Sequence, residues 1–115
     1  MAKFEFSGWL LRWLFSKETF EFVWDDGNAT KSHQKHDVDT TEAEQIFYDE
    51  GIYPLGSQVE PEVDEPRFGL LGVTFTGRRL HVVFTVRSGQ VRVISARPMH
   101  RKERVQYEQA LRQER

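Results

Sequence analysis

The dipeptide Ser88-Gly89 lies between two β-branched runs, Leu80–Val86 and Val91–Ala96. That arrangement is the strongest hairpin signal in the chain. With Ser88 and Gly89 as the loop, Arg87 faces Gln90, Thr85 faces Arg92 and Val83 faces Ile94. One face then carries Leu80, Val82, Phe84, Val86, Val91 and Val93, all apolar. The other carries His81, Thr85, Arg87 and Arg92 around Val83, Ile94 and Ala96. The first face suits a core and the second a partner, and a one-residue slip would exchange them. Gly77 punctuates an earlier break, so residues 67–104 read as three consecutive strands and the start of a helix.

A chain of 115 residues is one domain with a modest core. It has no cysteine, which excludes a disulfide framework, a thiol nucleophile and a Cys-ligated metal. That usage fits a reducing cytoplasm. No apolar run approaches the roughly 20 residues of a spanning helix, and no secretory leader is evident.

The net charge of −2 hides an asymmetry. Residues 1–66 carry 5 Lys and Arg against 15 Asp and Glu, a net −10; residues 67–115 carry 11 against 3, a net +8. Of those 11 cations, 10 are Arg and the other is Lys102. Arginine presents a planar fork of donors matched to phosphate and stacks on bases. The basic half therefore points to an anionic partner, RNA or DNA first. The alternative is that the halves neutralise each other inside the fold or across a dimer.

Along the chain, Phe6, Trp9, Leu10, Trp13 and Leu14 have helical spacing, with Ser7 as a cap. This stripe covers its own core, docks a partner or lies on a membrane surface; the last lacks a cation-rich polar face. Thr19 to Trp24 alternates as a half-buried strand, Asp26 or Asn28 caps a polar helix over 29–36, and Thr41 with Glu44 forms a capping box. Ala43, Ile46 and Phe47 form the inner stripe of that second helix. Pro54 to Pro66 reads as an acidic exposed loop, with room for one short strand at Tyr53–Val59. A polar last helix runs from Met99 to about Arg112 and must dock on something to be stable.

The stretches WDDGNATKSHQKHDVDTTEAEQIFYDE, EPRFGLLGVTFTGRRLHVVFTVRSG and VRVISARPMHRKERVQYE resemble the BrnT family of toxins from type II toxin–antitoxin systems. Lys35-His36, Glu65-x-Arg67 and Ser95-Ala96-Arg97 through Arg104 are the most distinctive parts. The resemblance implies an α+β fold similar to RelE-type ribonucleases: a small antiparallel sheet, two helices before it and one after. It implies metal-free endoribonuclease activity that inhibits translation, with no cofactor and no metal. It also implies a cytoplasmic protein, held inactive by a cognate BrnA-like, DNA-binding antitoxin, as a homodimer or a heterotetramer with that partner and without membrane contact. Residues 1–18 are an aromatic extension outside the resemblance, and 19–115 form the family-like domain. The chain departs from the family pattern at Ser32, where Asn is common, and at Asp37, where Gly is common.

Metal-free RNA cleavage needs a base for the 2′-hydroxyl, an acid for the leaving 5′-oxygen and cations for the developing charge. Arg67, Arg92 and Arg97 are expected to bind the scissile phosphate, with His36 or Tyr107 transferring protons. Each has a plain alternative: His36 as a helix C-terminal cap, Arg97 as a strut paired with an acid, Tyr107 as a buried aromatic with a wet hydroxyl. His36 is favoured over His81 because it lies in the family-like motif. Arg78, Arg79, Arg87, Arg101, Lys102 and Arg104 are expected along the RNA path. A member that has lost nuclease activity, and only binds RNA or its partner, is the competing reading.

Overall fold

The computed structural model describes residues 2–113. The elements run β1 (Lys3–Glu5), α1 (Gly8–Phe15), α2 (Asp26–His36), α3 (Thr40–Ile46), β2 (Tyr53–Glu60), β3 (Phe68–Val73), β4 (Arg79–Arg87), β5 (Gln90–Pro98) and α4 (Arg101–Gln113). The five strands pair antiparallel in chain order, so the fold is α+β.

The hairpin turns at Ser88 and Gly89, both with positive φ (51° and 78°), as a two-residue turn of primed type requires. Arg87 faces Gln90 and Thr85 faces Arg92, as the sequence dictates. Beyond Phe84 and Val93 the register shifts, and Val83 faces Ser95 rather than Ile94. Ile94 is the extra residue of a β-bulge, which reverses side-chain parity for the rest of β5. Ala96 is thereby turned into the core, where it is fully buried, and not onto the second face. Arg97 comes opposite His81.

On the first face, Leu70, Leu80, Val82, Phe84, Val91 and Val93 pack against Leu10 and Leu14 of α1 and Ala43 and Ile46 of α3. Phe84 is the hub, its ring 5.0 Å from Phe47, 5.6 Å from Phe68 and 6.0 Å from Trp13. Fully burying a side chain of this size contributes about 1.5–3 kcal/mol. The second face is also covered: Leu71, Met99 and Tyr107 form a smaller core with Tyr53, Leu55, Val73 and Leu111, through which α4 docks.

The free edge of β5 is closed by residues before it. Val23 N–H donates to Val91 O and Val91 N–H to Glu21 O, both at 2.8 Å. Asn28 Nδ2 donates to Val93 O at 3.2 Å, and Ser32 Oγ accepts from Ala96 N–H at 2.9 Å. An exposed edge that would invite further pairing is removed. Ser32 thus holds a ladder position.

Several local expectations shift. The alternating segment at 19–24 forms a single parallel bridge, Phe22 with Val91, and not a strand. Asp25 caps α2, its carboxylate accepting from Asn28 N–H while Asn28 Oδ1 accepts from Asp25 N–H. The box of α3 is Asp39 with Glu42, two residues before the expected pair. The short strand expected at Tyr53–Val59 does form, as β2, one residue longer, because β1 and β3 pair with its two sides. Asp37 ends α2 with φ 53°, the left-handed conformation that glycine adopts without a steric penalty.

Candidate active site

A cleft of about 490 Å³ opens on the second face, where the ends of β1, β2, β4 and β5 meet the start of α4. Phe4, Tyr53, His81, Arg97, His100 and Glu103 line it, over a floor that includes Leu55 and Val83. The β5 bulge aims Arg97 here, and pairing with β4 sets it across from His81. The first turn of α4 brings Glu103 over both.

Arg97 holds Glu103 through two parallel bonds, Nη1–Oε1 at 2.7 Å and Nη2–Oε2 at 2.9 Å. Glu103 Oε1 also accepts from His100 N–H at 2.8 Å, fixing the helix start. Burial pushes the Glu103 carboxyl up, but the bonds from Arg97 and the His100 amide outweigh it and hold the group below its ordinary range. His81 is buried, 4% exposed, and Nδ1 has no hydrogen-bond partner among the described residues. Its Nε2 lies 3.8 Å from Glu103 Oε2, beyond hydrogen-bond reach. Burial, with help from the Arg97 charge, lowers the His81 pKa to about 4. The imidazole is therefore neutral at pH 7.

The expected site residues are only partly gathered. Arg92, opposite Thr85, shares this face with Arg97. Extending the β3–β4 register one residue beyond Phe68 and Phe84 sets Arg67 in the same row. That row stands four residues along β4 from His81, about 14 Å at roughly 3.4 Å per residue. Arg92 is bound to Asp25, Nη1–Oδ2 at 2.6 Å, and this bond holds the Asp25 carboxyl low. His36 sits at the end of α2, where its carbonyl accepts from Arg78 Nη2 at 3.0 Å. Tyr107 is buried under α4, its hydroxyl donating to Asp49 Oδ2 at 2.6 Å. Neither His36 nor Tyr107 lines the cleft.

Much of the basic half meets acids. Arg78 pairs with Glu42 at 3.0 Å, Arg87 with Glu65 at 2.7 Å and Arg79 with Glu108 at 2.8 Å. The first two, like Arg92–Asp25, join the basic half to the acidic half. Arg104 Nη1 donates to Met99 O at 3.0 Å. Arg101 and Lys102 are exposed beside the cleft and have no ion pair among the described residues. No group of three or more His, Cys, Asp or Glu placed to hold a metal ion occurs among the described residues. No described helix is long and apolar enough to cross a membrane.

Sequence reasoning ranked His81 below His36 and weighed Glu103 only as a structural partner of Arg97, a pairing that the structure contains. Parity arguments put His81 with Arg92, and only the bulge brings Arg97 beside it. The available signal was Glu103 three residues after His100 at a helix start, the spacing of an N-terminal cap.

A family model described as the ribonuclease toxin, BrnT, of type II toxin–antitoxin systems matches residues 24–103. No curated protein matches the chain. The match spans β2 to β5 and reaches Glu103, so it covers every cleft residue named above except Phe4.

Proposed function

The chain belongs to the BrnT family of type II toxin–antitoxin ribonuclease toxins, and from that premise we propose that the His81–Arg97–Glu103 cleft is where it cuts RNA without a metal. The observation that carries this reading is a buried, neutral imidazole directly across the sheet from an arginine fork. A scissile phosphate takes over Arg97 from Glu103, since phosphate oxygens match the same planar fork. His81 accepts the 2′-hydroxyl proton as the 2′-oxygen attacks phosphorus. The P–O5′ bond breaks, a 2′,3′-cyclic phosphate forms, and the departing 5′-oxygen takes a proton from His100. Arg97 stabilises the charge on the non-bridging oxygens. Arg67 and Arg92, on the same face, and Arg101 and Lys102, beside the cleft, guide the flanking phosphates.

The sheet-with-helices architecture is of the RelE kind in this reading, and cleavage of messenger RNA inhibits translation. A DNA-binding antitoxin neutralises the activity by covering the cleft. It gains further area on an apolar groove lined by Trp9, Pro66, Phe68 and Val86, beside the exposed Phe6. The deciding experiment incubates the purified full chain with single-stranded RNA in excess chelator. Fragments ending in 2′,3′-cyclic phosphate support the reading. RNA that is bound and left intact establishes a binding module instead, the role to which an Arg97 permanently held by Glu103 would be suited.

A further inference from the structure

The segment ahead of the family match is built into the cleft. β1 pairs along the outer side of β2, with Phe4 opposite Gln58 and Glu5 opposite Ser57. Two glycines of the matched body make room for it. A Cβ on Gly56 would stand within bonding distance of the Glu5 carbonyl oxygen, and Gly56 has φ +109°. On Gly69, a Cβ would meet three consecutive carbons of the Phe4 ring at 2.9, 3.1 and 3.1 Å. A ring approached through its edge would keep the neighbouring carbons much farther than the nearest one. Near-equal distances mean that Phe4 lies face-down on Gly69. Its other face is turned away from the sheet, toward the cleft that it lines. The His81 ring stands at its border, centroids 5.8 Å apart and planes at 63°.

We infer that Phe4 is a stacking platform for one unstacked base of single-stranded RNA, next to the phosphate held at Arg97. This rests on the nuclease reading of the cleft. The chemistry is that of single-strand recognition, in which a splayed base lies on an aromatic ring and the backbone follows cations. Phe4 supplies the ring, and its backing by Gly69 fixes the ring plane before RNA arrives, so little ordering remains to oppose binding. Tyr53, whose hydroxyl accepts from Gln106 Nε2 at 3.1 Å, lines the same cleft. The proposal makes residues 2–5 a specificity element, joined to a catalytic body that has space for them.

The test uses the full chain and a single-stranded RNA oligonucleotide cut by the wild type, with a second oligonucleotide abasic beside the scissile bond. Phe4→Leu keeps an apolar cover over Gly69 and removes the aromatic face. Phe4→Leu is expected to raise KM by roughly tenfold or more, the scale of one lost stack, with kcat changed far less. The abasic substrate should show the same loss with the wild type and no further loss with Phe4→Leu, and Phe4→Trp should restore affinity. Equal KM for wild type and Phe4→Leu overturns the stacking role and leaves the nuclease reading intact. So does an abasic penalty that persists undiminished in Phe4→Leu. Wild-type protein that neither cuts nor binds RNA overturns both.

Discussion

Arg97 stands directly across the sheet from His81 because Ile94 is an extra residue in β5. Without that bulge Val83 would face Ile94, and Arg97 would point into the apolar core with Val82 and Leu80. One inserted residue thus moves a guanidinium from an untenable position to the mouth of a cleft. It also turns Ala96, small enough for close packing, inward against α2, where its N–H meets Ser32. Bulges commonly re-aim a side chain at functional sites.

Replacing Arg97 separates catalysis from architecture. Arg97→Ala removes the proposed phosphate fork and should lower cleavage by about 10²–10³-fold, as loss of an oriented charge-stabilising donor does. Glu103 keeps its bond to the His100 amide and lies at the cleft rim, so the variant should stay folded, losing about 1–3 kcal/mol. Initial rates with a thermal melt check this. A variant that unfolds makes Arg97 a strut, and one that cleaves normally removes it from the site.

His81 sets an acid limit on stability. Its pKa is lowered from 6.5 to about 4 by burial, so between those values the unfolded chain binds a proton that the folded chain does not. Stability is therefore fully present above pH 6.5 and falls as pH drops toward about 4, by about 3 kcal/mol in total. Denaturant midpoints measured across this window should slope accordingly. His81→Gln should flatten the slope and abolish cleavage. The lowered carboxyls of Asp25, Glu65 and Glu103 act below their ordinary pKa values, a separate and more acidic window. An unchanged slope in His81→Gln would remove His81 as its source.

The hairpin, its turn and the core face were legible because a period of two and a Ser-Gly turn act over a few residues. The β5 bulge was not, since nothing in QVRVISARP marks which residue is extra until β4 and α2 demand it. The short pairing at Phe22 was hidden for a related reason: its alternation fits a strand, but the chain reaches β5 for one bridge only. The charge asymmetry was visible and its fate was not. Arg78, Arg87 and Arg92 find Glu42, Glu65 and Asp25 across long sequence separations, so a basic half became largely a set of internal ties. The pairing of Arg97 with an acid was legible as an alternative, but its place beside His81 was not, because that depends on the bulge.

Cations without such ties should still steer RNA. Arg101→Ala and Lys102→Ala each remove one exposed charge beside the cleft. Each should weaken binding similarly for all sequences and reduce the slope of log affinity against log salt by about 0.7, the value for one single-strand phosphate contact. Arg79→Ala and Arg87→Ala, whose charges already face Glu108 and Glu65, should change the slope less. Fluorescence titrations over a range of salt concentrations decide it, and equal effects from all four variants would remove the distinction.

Tyr107 offers the cleanest division between the two sides of α4. Its ring is buried with Leu71 and Met99, and its hydroxyl donates to Asp49 Oδ2 at 2.6 Å. The same carboxylate oxygen accepts from Val73 N–H at 3.1 Å, and Oδ1 accepts from Gly51 N–H at 3.3 Å. Asp49 thereby ties the turn after α3 to β3 and α4. Tyr107→Phe deletes one bond to a charged acceptor and should destabilise the protein by about 1.5–3 kcal/mol, several degrees in melting temperature. Because the hydroxyl faces Asp49 and not the cleft, cleavage by the remaining folded protein should be unchanged. A fall in rate of a hundredfold at unchanged stability would instead make Tyr107 the proton donor and require α4 to turn during the reaction.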